Sequence, residues 1–329
     1  MDAGAKGAEA MIIAWDKGKI RRPGIYTGLP IEIYHDDCCI GPSVSSSGLR
    51  MITQRSPAHY WCQSPLNPDR LDDGKEPEHY LFGRAAHHLI LGEEAFTTAF
   101  VVRPEKWDSW RTEASRQWRQ EQTDEGRTVL EPKHLDLIRY MARALAKHPL
   151  VNAGILNGEV EQSIISKDKE TGIWKKTRPD VIPNDSGDFC DLKTTSDVNY
   201  DELSYSIGKY GYHQQAALVG EAYKEVTGRP MTSFSFCFIE KDPPCSVRIV
   251  TLKECDIARG QAQNRIALRK FAECLEANDW PGPGGDQEAE FIEIPAWQQT
   301  RIDRDIEFEE KVYNSKTEKA KADDYLGAG

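Results

Sequence analysis

Three short strand patterns separated by two turns constrain the fold of this chain more than any other feature of its sequence. Residues Glu159–Ile165, Ile173–Ile182 and Phe189–Thr194 are rich in β-branched and aromatic residues, which favour strands. Polar residues together with glycine or proline separate these segments at 167–172 and 183–187, as is typical of turns. The sequence therefore predicts a meander of three neighbouring antiparallel strands.

Helical patterns lie on both sides of this meander. Helices are predicted at His79–Leu91, Pro132–Lys147, His213–Thr227 and Asp256–Leu275, with two short helices that begin after Ser45 and Ser56. Phe234, Phe236 and Phe238 alternate along a further strand and should fill the core of a sheet, and a hairpin leads from this strand to Val247–Val250. The predicted order is therefore helix, three strands, helix and strand.

The length of 329 residues allows one large domain. We expect an irregular N-terminal arm at residues 1–45, a folded domain at 46–300 and an acidic, polar and partly disordered tail at 301–329. The sequence has no apolar run of about 18 residues, and its N-terminus lacks the apolar core of an export signal. These features predict a cytoplasmic protein without a membrane partner.

Charge and cysteine content exclude some functions. The formal net charge of −11 argues against a protein that simply coats nucleic acid, because such proteins carry a basic surface. None of the eight cysteines forms a Cys-x-x-Cys pair, so neither a zinc knuckle nor an iron–sulfur cluster is indicated. A local basic groove remains compatible with this composition, and so does a site built from acidic metal ligands.

The most informative residues are Asp180 and Asp191, which stand eleven residues apart on the second and third predicted strands. A tight turn between these strands can bring both carboxylates to one edge of the sheet. Lys193 follows Asp191 by two residues and therefore shares its face of the strand. Two carboxylates and an ammonium group suit phosphodiester hydrolysis, because carboxylate oxygens bind Mg²⁺ and an ammonium group stabilises developing charge. We expect Mg²⁺ as the cofactor, with Mn²⁺ able to replace it.

These residues resemble the signature of the PD-(D/E)XK nuclease superfamily, and the predicted element order resembles its αβββαβ core. Further motifs resemble one branch, the phage and prophage exodeoxyribonuclease VIII (RecE-type) exonucleases. In chain order, the resemblance lies in Ser46–Leu49, Ser56–Tyr60, Gly83–His87, Glu161–Ser163, Thr171–Asp180, Asp191–Thr195, Tyr212–Ala217 and Trp280–Gly282. The resemblance implies an α/β (α+β) fold with a mixed central sheet flanked by helices.

The resemblance also implies a role for individual residues. Asp180 and Asp191 would bind the metal ion, and Lys193 would act on the nucleophilic water. His87 would either bind the metal ion directly or contact one of the residues that bind it. Two further catalytic residues would be Glu161 and Gln215. Glu161 would be an auxiliary acid, and Gln215 would contact the lysine or DNA.

Neighbouring residues compete for three of these roles. His88 follows His87, Glu159 shares a strand face with Glu161, and Gln214 precedes Gln215. The glycine and alanine spacing favours His87, whereas the choice between Glu159 and Glu161 stays open. One departure from the family pattern is Val219, where related nucleases often carry a tyrosine.

Basic residues before the meander are candidates for contacts with DNA. Residues 103–127 interleave arginines with three tryptophans, so they form either an amphipathic helix with solvated arginines or an element that binds DNA through phosphate contacts and base stacking. The candidate phosphate contacts are Arg111, Arg116, Arg119 and, next to the acid motif, Arg178.

The sequence thus predicts an exodeoxyribonuclease that degrades linear double-stranded DNA from its ends. The resemblance implies 5′→3′ digestion for phage-type recombination, a ring-shaped homo-oligomer (trimer or tetramer) and a single-strand annealing protein as partner. It places the protein in a bacterial host cell, encoded by a phage or prophage. The alternatives are a PD-(D/E)XK endonuclease or Cas4-like nuclease and, in another class, a non-catalytic DNA-binding recombination scaffold. The absence of cysteine-ligand spacing argues against the Cas4-like type.

Overall fold

The computed structural model of the chain describes residues 12–70, 78–160, 162–184, 186–284, 289 and 291–326. The chain divides after Pro283 into two compact units, and nearly all of the secondary structure belongs to the first. The strands are β1 Ile12–Ala14, β2 Gly24–Thr27, β3 Ser43–Ser45, β4 Phe100–Val102, β5 Thr128–Leu130, β6 Glu159–Val160, β7 Ser163–Lys167, β8 Trp174–Thr177, β9 Val181–Ile182, β10 Asp188–Thr195, β11 Ser233–Glu240 and β12 Val247–Thr251. The helices are α1 Ile31–His35, α2 Ser46–Gln54, α3 Pro57–Trp61, α4 Glu78–Leu91, α5 Glu93–Ala99, α6 Glu113–Asp124, α7 Pro132–Leu145, α8 Pro149–Asn152, α9 Tyr200–Lys209, α10 Tyr212–Thr227, α11 Glu254–Ala277 and α12 Ala296–Leu326. The fold is therefore a mixed α/β structure.

A sheet of three strands lies at the centre of the first unit. Its middle strand, β11, pairs in parallel with β10 and antiparallel with β12. Cys190 and Leu192 of β10 pack with α4 and α7 on one face. Phe189 and the predicted stripe of three phenylalanines on β11 pack against α10 on the other face. The prediction that this stripe fills the core is confirmed.

A second sheet contains segments that the sequence assigned to an irregular arm. It has five strands in the order β1-β2-β7-β8-β3, with β7 antiparallel to both of its neighbours and β3 parallel to β8. The expectation of an irregular arm at residues 1–45 is therefore wrong for residues 12–45, and residues 1–11 lie outside the described part. Each arm strand has only three or four residues, too few to show a period of two in the sequence.

The predicted meander is also divided between sheets. β7 and β8 pair as expected, but β10 belongs to the three-stranded sheet, and β9 pairs with β6 instead of β10. Within the described residues, no backbone ladder joins β9 to β10. The prediction of three directly paired strands is thus wrong at its second junction.

The predicted helices are present as α4, α7, α10 and α11, with ends that differ by a few residues. Ser45 and Ser56 cap α2 and α3 as expected, since their side chains accept the backbone N–H groups of Gly48 and His59. Gly228 ends α10 with φ of 73°, a conformation that glycine adopts without steric cost. The sequence did not predict α9, which lies between the last strand of the meander and α10.

The second unit is the long helix α12, where the sequence predicted a partly disordered tail from residue 301. Its composition is rich in Glu, Lys and Ala, which favour a helix, but almost all of its described side chains are exposed, so no apolar stripe marks it. In the part of the chain that the structure describes, no helix is long and apolar enough to cross a membrane.

Candidate active site

Asp180 reaches strand β10 through its side chain. It stands directly before β9, and its Oδ2 accepts the backbone N–H of Leu192 at 2.7 Å. The side chain thus takes the place of a ladder bond between the two segments, and this holds Asp180 beside the strand that carries Asp191 and Lys193. The two acids come together as expected, although they are not on directly paired strands.

Asp191 lies at the centre of a group of hydrogen bonds and is only 1% exposed. The ammonium group of Lys193 donates to its Oδ2, and the side-chain amide of Gln215 donates to its Oδ1 at 3.0 Å. Asp191 and Lys193 share the face of β10 that α10 covers, because side chains two positions apart point the same way. Gln215 is in the first turn of α10 and so reaches the same carboxylate.

His87 approaches the other acid from α4. Its Nδ1 lies 3.4 Å from Oδ1 of Asp180, and both side chains are partly exposed, by 26% and 18%. The two oxygens of Asp180 are therefore contacted from different directions, by a histidine and by a backbone N–H. This contact fits a residue that orients the carboxylate.

The charges of these groups shift one another's pKa. Burial would raise the pKa of Asp180, but His87, Lys193 and the N–H of Leu192 outweigh it and lower the pKa to about 2. Burial and the charge of Asp180 raise the pKa of Asp191. Burial would lower the pKa of Lys193, but the two carboxylates outweigh it and raise the pKa. The site therefore holds two close carboxylates of unequal acidity beside a protonated lysine.

The donor set fits a divalent cation that is held only in part by the protein. Within the described ranges, no group of three or more His, Cys, Asp or Glu side chains could hold a metal ion alone. Mg²⁺ does not need such a cage, because it is commonly bound by one or two carboxylates together with water and substrate phosphate. Asp180 and Asp191 supply two such carboxylates, and a bound cation would relieve the repulsion between them.

Comparison with known proteins places this site in a family. Residues 45–291, more than half of the chain, match the model of a PDDEXK-like domain of unknown function (DUF3799). The chain belongs to this family. Asp180, Asp191 and Lys193 lie within the part of the chain that matches this PDDEXK-like domain. The comparison with curated proteins gives no match.

Three solved structures are similar to this chain at low sequence identity. A candidate exonuclease from Eubacterium rectale superposes with a TM-score of 0.52 at 11% identity, covering 82% of this chain and 94% of its own. A phage-related exonuclease from Haemophilus somnus matches at 12% identity and TM-score 0.29, covering 72% and 96%. An alkaline exonuclease from Laribacter hongkongensis matches at 12% identity and TM-score 0.23, covering 51% and 86%. Only the first superposes closely enough to support the shared fold.

The geometry separates two of the competing residue pairs. His88 packs its ring 5.4 Å from that of Phe100, on the side of α4 away from Asp180. Gln214 is fully buried and exchanges hydrogen bonds with Thr53 and Asn264, so it joins α10 to α2 and α11. His87 and Gln215 are therefore the members of each pair that face the site.

The auxiliary acid is not settled by the structure. Glu161 lies outside the described residues. Glu159 is exposed on β6 and pairs with Ile182 of β9. Ile182 follows Asp180 by two residues along the chain. The choice between these two glutamates stays open, and Glu161 remains a prediction.

One residue beside Lys193, Tyr212, had no role assigned from sequence. The Nζ atom of Lys193 lies 5.5 Å from the ring centroid of Tyr212, at the start of α10. Burial raises the pKa of Tyr212, although the charges of Lys193 and Arg50 oppose it. Tyr212 precedes Gln215 by three residues and so shares its helix face, a spacing that could have indicated it. Val219, by contrast, is completely buried in the core.

The four predicted DNA-contacting arginines are in different environments. Arg178 is partly buried, donates to Ser163 and to the carbonyl of Leu29, and lies 5.2 Å from the ring of Tyr34. These contacts join β7 to the loop after β2, and DNA binding by Arg178 remains a prediction.

The other three arginines are exposed on the excursion between β4 and β5. Arg119 lies 5.2 Å above the ring of Trp110, and Arg116 donates to the carbonyl of Arg111. Their binding to DNA remains a prediction.

Proposed function

We propose that this chain is a Mg²⁺-dependent exodeoxyribonuclease that degrades linear double-stranded DNA from its ends. The observation that carries the proposal is the convergence of His87, Asp180, Asp191, Lys193 and Gln215 on one site from three separate elements and a loop. A buried carboxylate with a raised pKa next to a second carboxylate is costly to fold, and such costs are typical of functional sites. A non-catalytic scaffold would have no need of such a pair of close carboxylates.

Each residue of the site has a distinct part in this proposal. A divalent cation held by Asp180 and Asp191 would polarise the scissile phosphate and activate a water molecule. His87 and the N–H of Leu192 fix the orientation of Asp180, and Gln215 fixes that of Asp191. Lys193 carries a positive charge that stabilises negative charge on the phosphate oxygens as the bond to the leaving group breaks.

We further infer how the enzyme acts and assembles from the motifs that resemble RecE-type exonucleases. The resemblance supports 5′→3′ digestion that leaves single strands for phage-type recombination, with a single-strand annealing protein as partner in a bacterial host cell. It also supports a homo-oligomeric ring, a trimer or a tetramer, through which the DNA passes. A closed ring suits an acidic chain, because it gathers the few basic surfaces around the substrate.

The decisive experiment compares linear and circular DNA. The protein is incubated with Mg²⁺ and with linear duplexes labelled at either the 5′ or the 3′ ends, next to the same duplex as a covalently closed circle. We expect early release of the 5′ label and no cut in the circle. Cleavage of the circle would indicate an endonuclease instead. Asp191→Ala is the matched control, and equal activity in this variant would remove the site from consideration.

A second experiment tests the exposed arginines between β4 and β5. Each phosphate contact with duplex DNA contributes about 0.9 to the slope of log affinity against log salt. Replacing Arg111, Arg116 and Arg119 together by glutamine should therefore flatten that slope as well as weaken binding. An unchanged slope would leave these arginines as solvated surface residues.

A further inference from the structure

Aromatic rings and cations alternate along a path from Lys193 to the exposed surface of α9, and we propose that this path binds single-stranded DNA next to the cleavage site. The ring centroids of Tyr212 and Tyr210 are 5.7 Å apart. The Nζ atom of Lys209 lies 5.4 Å from the ring of Tyr210 and 5.5 Å from that of Tyr205. We call Tyr212, Tyr210, Lys209 and Tyr205 the tyrosine track. Lys193, 5.5 Å from Tyr212, marks its inner end.

The inner end of the track is fixed and its outer end is open to solvent. Tyr212 packs against Phe236, with ring centroids 5.2 Å apart, so its position is set by the core. Tyr210 and Tyr205 are exposed by 49% and 63%. Contiguous exposed aromatic rings on an otherwise polar surface indicate a binding surface, whereas single exposed apolar residues do not. The exposed rings therefore begin at Tyr210, next to Tyr212 and thus close to Lys193.

The charge along the track is suited to a phosphate backbone. Lys209 lies between the two outer rings, and Arg50 of α2 donates to the carbonyl of Tyr210 at 2.9 Å. The acidic residues of α9, Asp201 and Glu202, are in its first turn, at the other end of the helix from Lys209. A surface that alternates rings and cations is the arrangement with which proteins bind single strands, because bases stack on the rings and phosphates contact the cations.

An unpaired strand is favoured over a duplex for a steric reason. In a duplex the base faces are covered by their neighbours, so tyrosine rings can stack only on a terminal or unpaired base. The inference rests on the proposed nuclease site, since only cleavage at Lys193 makes the inner end of the track adjacent to a scissile phosphate.

The tryptophan cluster between β4 and β5 was the other candidate surface. Its rings pack against one another, and three cations lie over two of them. The contacts are those of Trp107 and Trp110 with Trp118, of Arg103 and Arg119 with Trp110, and of Lys106 with Trp107. No described contact links this cluster to Lys193.

The test measures binding of a fluorescein-labelled oligothymidylate by anisotropy in excess EDTA, where cleavage is suppressed. Loss of stacking on one base costs about 1–3 kcal/mol, so Tyr205→Ala with Tyr210→Ala should weaken binding by at least about fivefold and up to about 150-fold. The corresponding pair of phenylalanine substitutions keeps both rings and should bind as the unmodified protein does. Tyr200→Ala is the matched control, since Tyr200 is 67% exposed on the same helix and outside the track.

Salt dependence tests the cation of the track separately. Lys209→Gln should lower the slope of log affinity against log salt by about 0.7, the contribution of one phosphate contact with a single strand. Circular dichroism of every variant checks that α9 is retained. If the alanine pair does not fold, the pair Tyr205→Leu and Tyr210→Leu, which keeps apolar bulk without a ring, has the same expected loss.

The outcomes separate this inference from the proposed function. If the unmodified protein cleaves linear duplexes but the alanine pair binds oligothymidylate as Tyr200→Ala does, the inference is wrong and the nuclease proposal stands. If binding depends on the tyrosines but no cleavage occurs with Mg²⁺, the proposed function is wrong and the strand-binding surface stands. A change in oligomer size by light scattering with unchanged DNA binding would make the track a protein interface and overturn the inference.

Discussion

Replacing the two acids of the site by asparagine, one at a time, should abolish cleavage in both cases and change stability in different directions. Asp180→Asn and Asp191→Asn are close in shape to the residues that they replace, so neither creates a cavity. Both remove a carboxylate that the proposed metal ion needs, and we expect the cleavage rate to fall by several orders of magnitude. The difference between them comes from the opposite shifts of the two pKa values.

For Asp180 the magnitude follows from the lowered pKa. Despite its burial, the carboxyl has a pKa of about 2, against an ordinary value of 3.8, because His87, Lys193 and the N–H of Leu192 favour the charged form. A difference of one pKa unit corresponds to about 1.4 kcal/mol, so the ionised form of Asp180 contributes about 2 kcal/mol at neutral pH. This contribution is present above about pH 4 and is lost as the pH falls towards 2. Asp180→Asn removes it at all pH values.

For Asp191 the sign is reversed. Burial and the charge of Asp180 raise its pKa, so the folded state binds its proton more tightly than the unfolded state does. This carboxyl therefore lowers stability as the pH rises from its unfolded pKa to its folded pKa, and the loss is complete above the folded pKa. Asp191→Asn removes this cost and keeps an oxygen for the amide of Gln215, and the charge of Asp180 remains to stabilise the ammonium group of Lys193. The free energy of unfolding should stay the same or increase.

The assay is thermal unfolding in EDTA at pH 7, followed by circular dichroism and compared with the unmodified protein. With an unfolding entropy of about 2.1 cal/mol/K per residue, about 2 kcal/mol corresponds to a decrease of roughly 3 °C in Tm for Asp180→Asn. Asp191→Asn should melt at the same temperature or higher. If Asp191→Asn melts as low as Asp180→Asn, the assignment of unequal environments to the two acids is wrong. Retained cleavage by either variant would refute the site itself.

Three further outcomes follow from the structure. Lys193→Ala should keep its affinity for DNA in Ca²⁺ but lose turnover, and an equal loss of both in binding and single-turnover assays would make the lysine a phosphate anchor only. Cleavage should require Mg²⁺ or Mn²⁺ and stop in excess EDTA, with restoration by Mn²⁺ as the control. The side chain of Lys175 is fully buried, and its Nζ atom lies 2.5 Å from Glu221 and 2.9 Å from Glu225. Replacing both glutamates by glutamine should lower the free energy of unfolding by about 3–5 kcal/mol, because it leaves a buried charge without a partner. Lys175→Met should lower it less, and urea unfolding measures both changes.

The sequence predicted the site better than it predicted the sheets. Asp191 and Lys193 share a face because of the period of two in any strand, which no tertiary contact can change. His87 and Gln215 were predicted by a resemblance of motifs, and the structure then showed why their neighbours His88 and Gln214 differ from them. Gln214 is fully buried and His88 packs against Phe100, a distinction that depends on which face of each helix packs inward.

The parts that the sequence did not predict depend on contacts between distant segments. The short strands β2 and β3 gain their order from pairing with β7 and β8, more than a hundred residues further along the chain, and β1 pairs with β2. The junction between β9 and β10 is made by the Asp180 side chain, so turn chemistry alone could not show that the ladder is interrupted there. Helix α9 exposes Tyr200 and Tyr205 and buries only Leu203, so little core packing marks it.

The net charge of −11 is compatible with DNA binding because charges act locally. At physiological ionic strength the Debye length is about 8 Å, so an exposed acid farther from the DNA than this has little effect on binding. Many of the acids are neutralised within the fold, as Asp168 and Glu170 are by Arg265 and Arg269 at the contact of α11 with the turn after β7. The ammonium group of Lys193, by contrast, lies directly beside Asp191, and the cations Arg50 and Lys209 contact Tyr210 of the tyrosine track. The affinity for DNA should therefore depend on the few cations that line the path of the strand. The contribution of each cation can be measured as the change in the slope of log affinity against log salt when that cation is replaced.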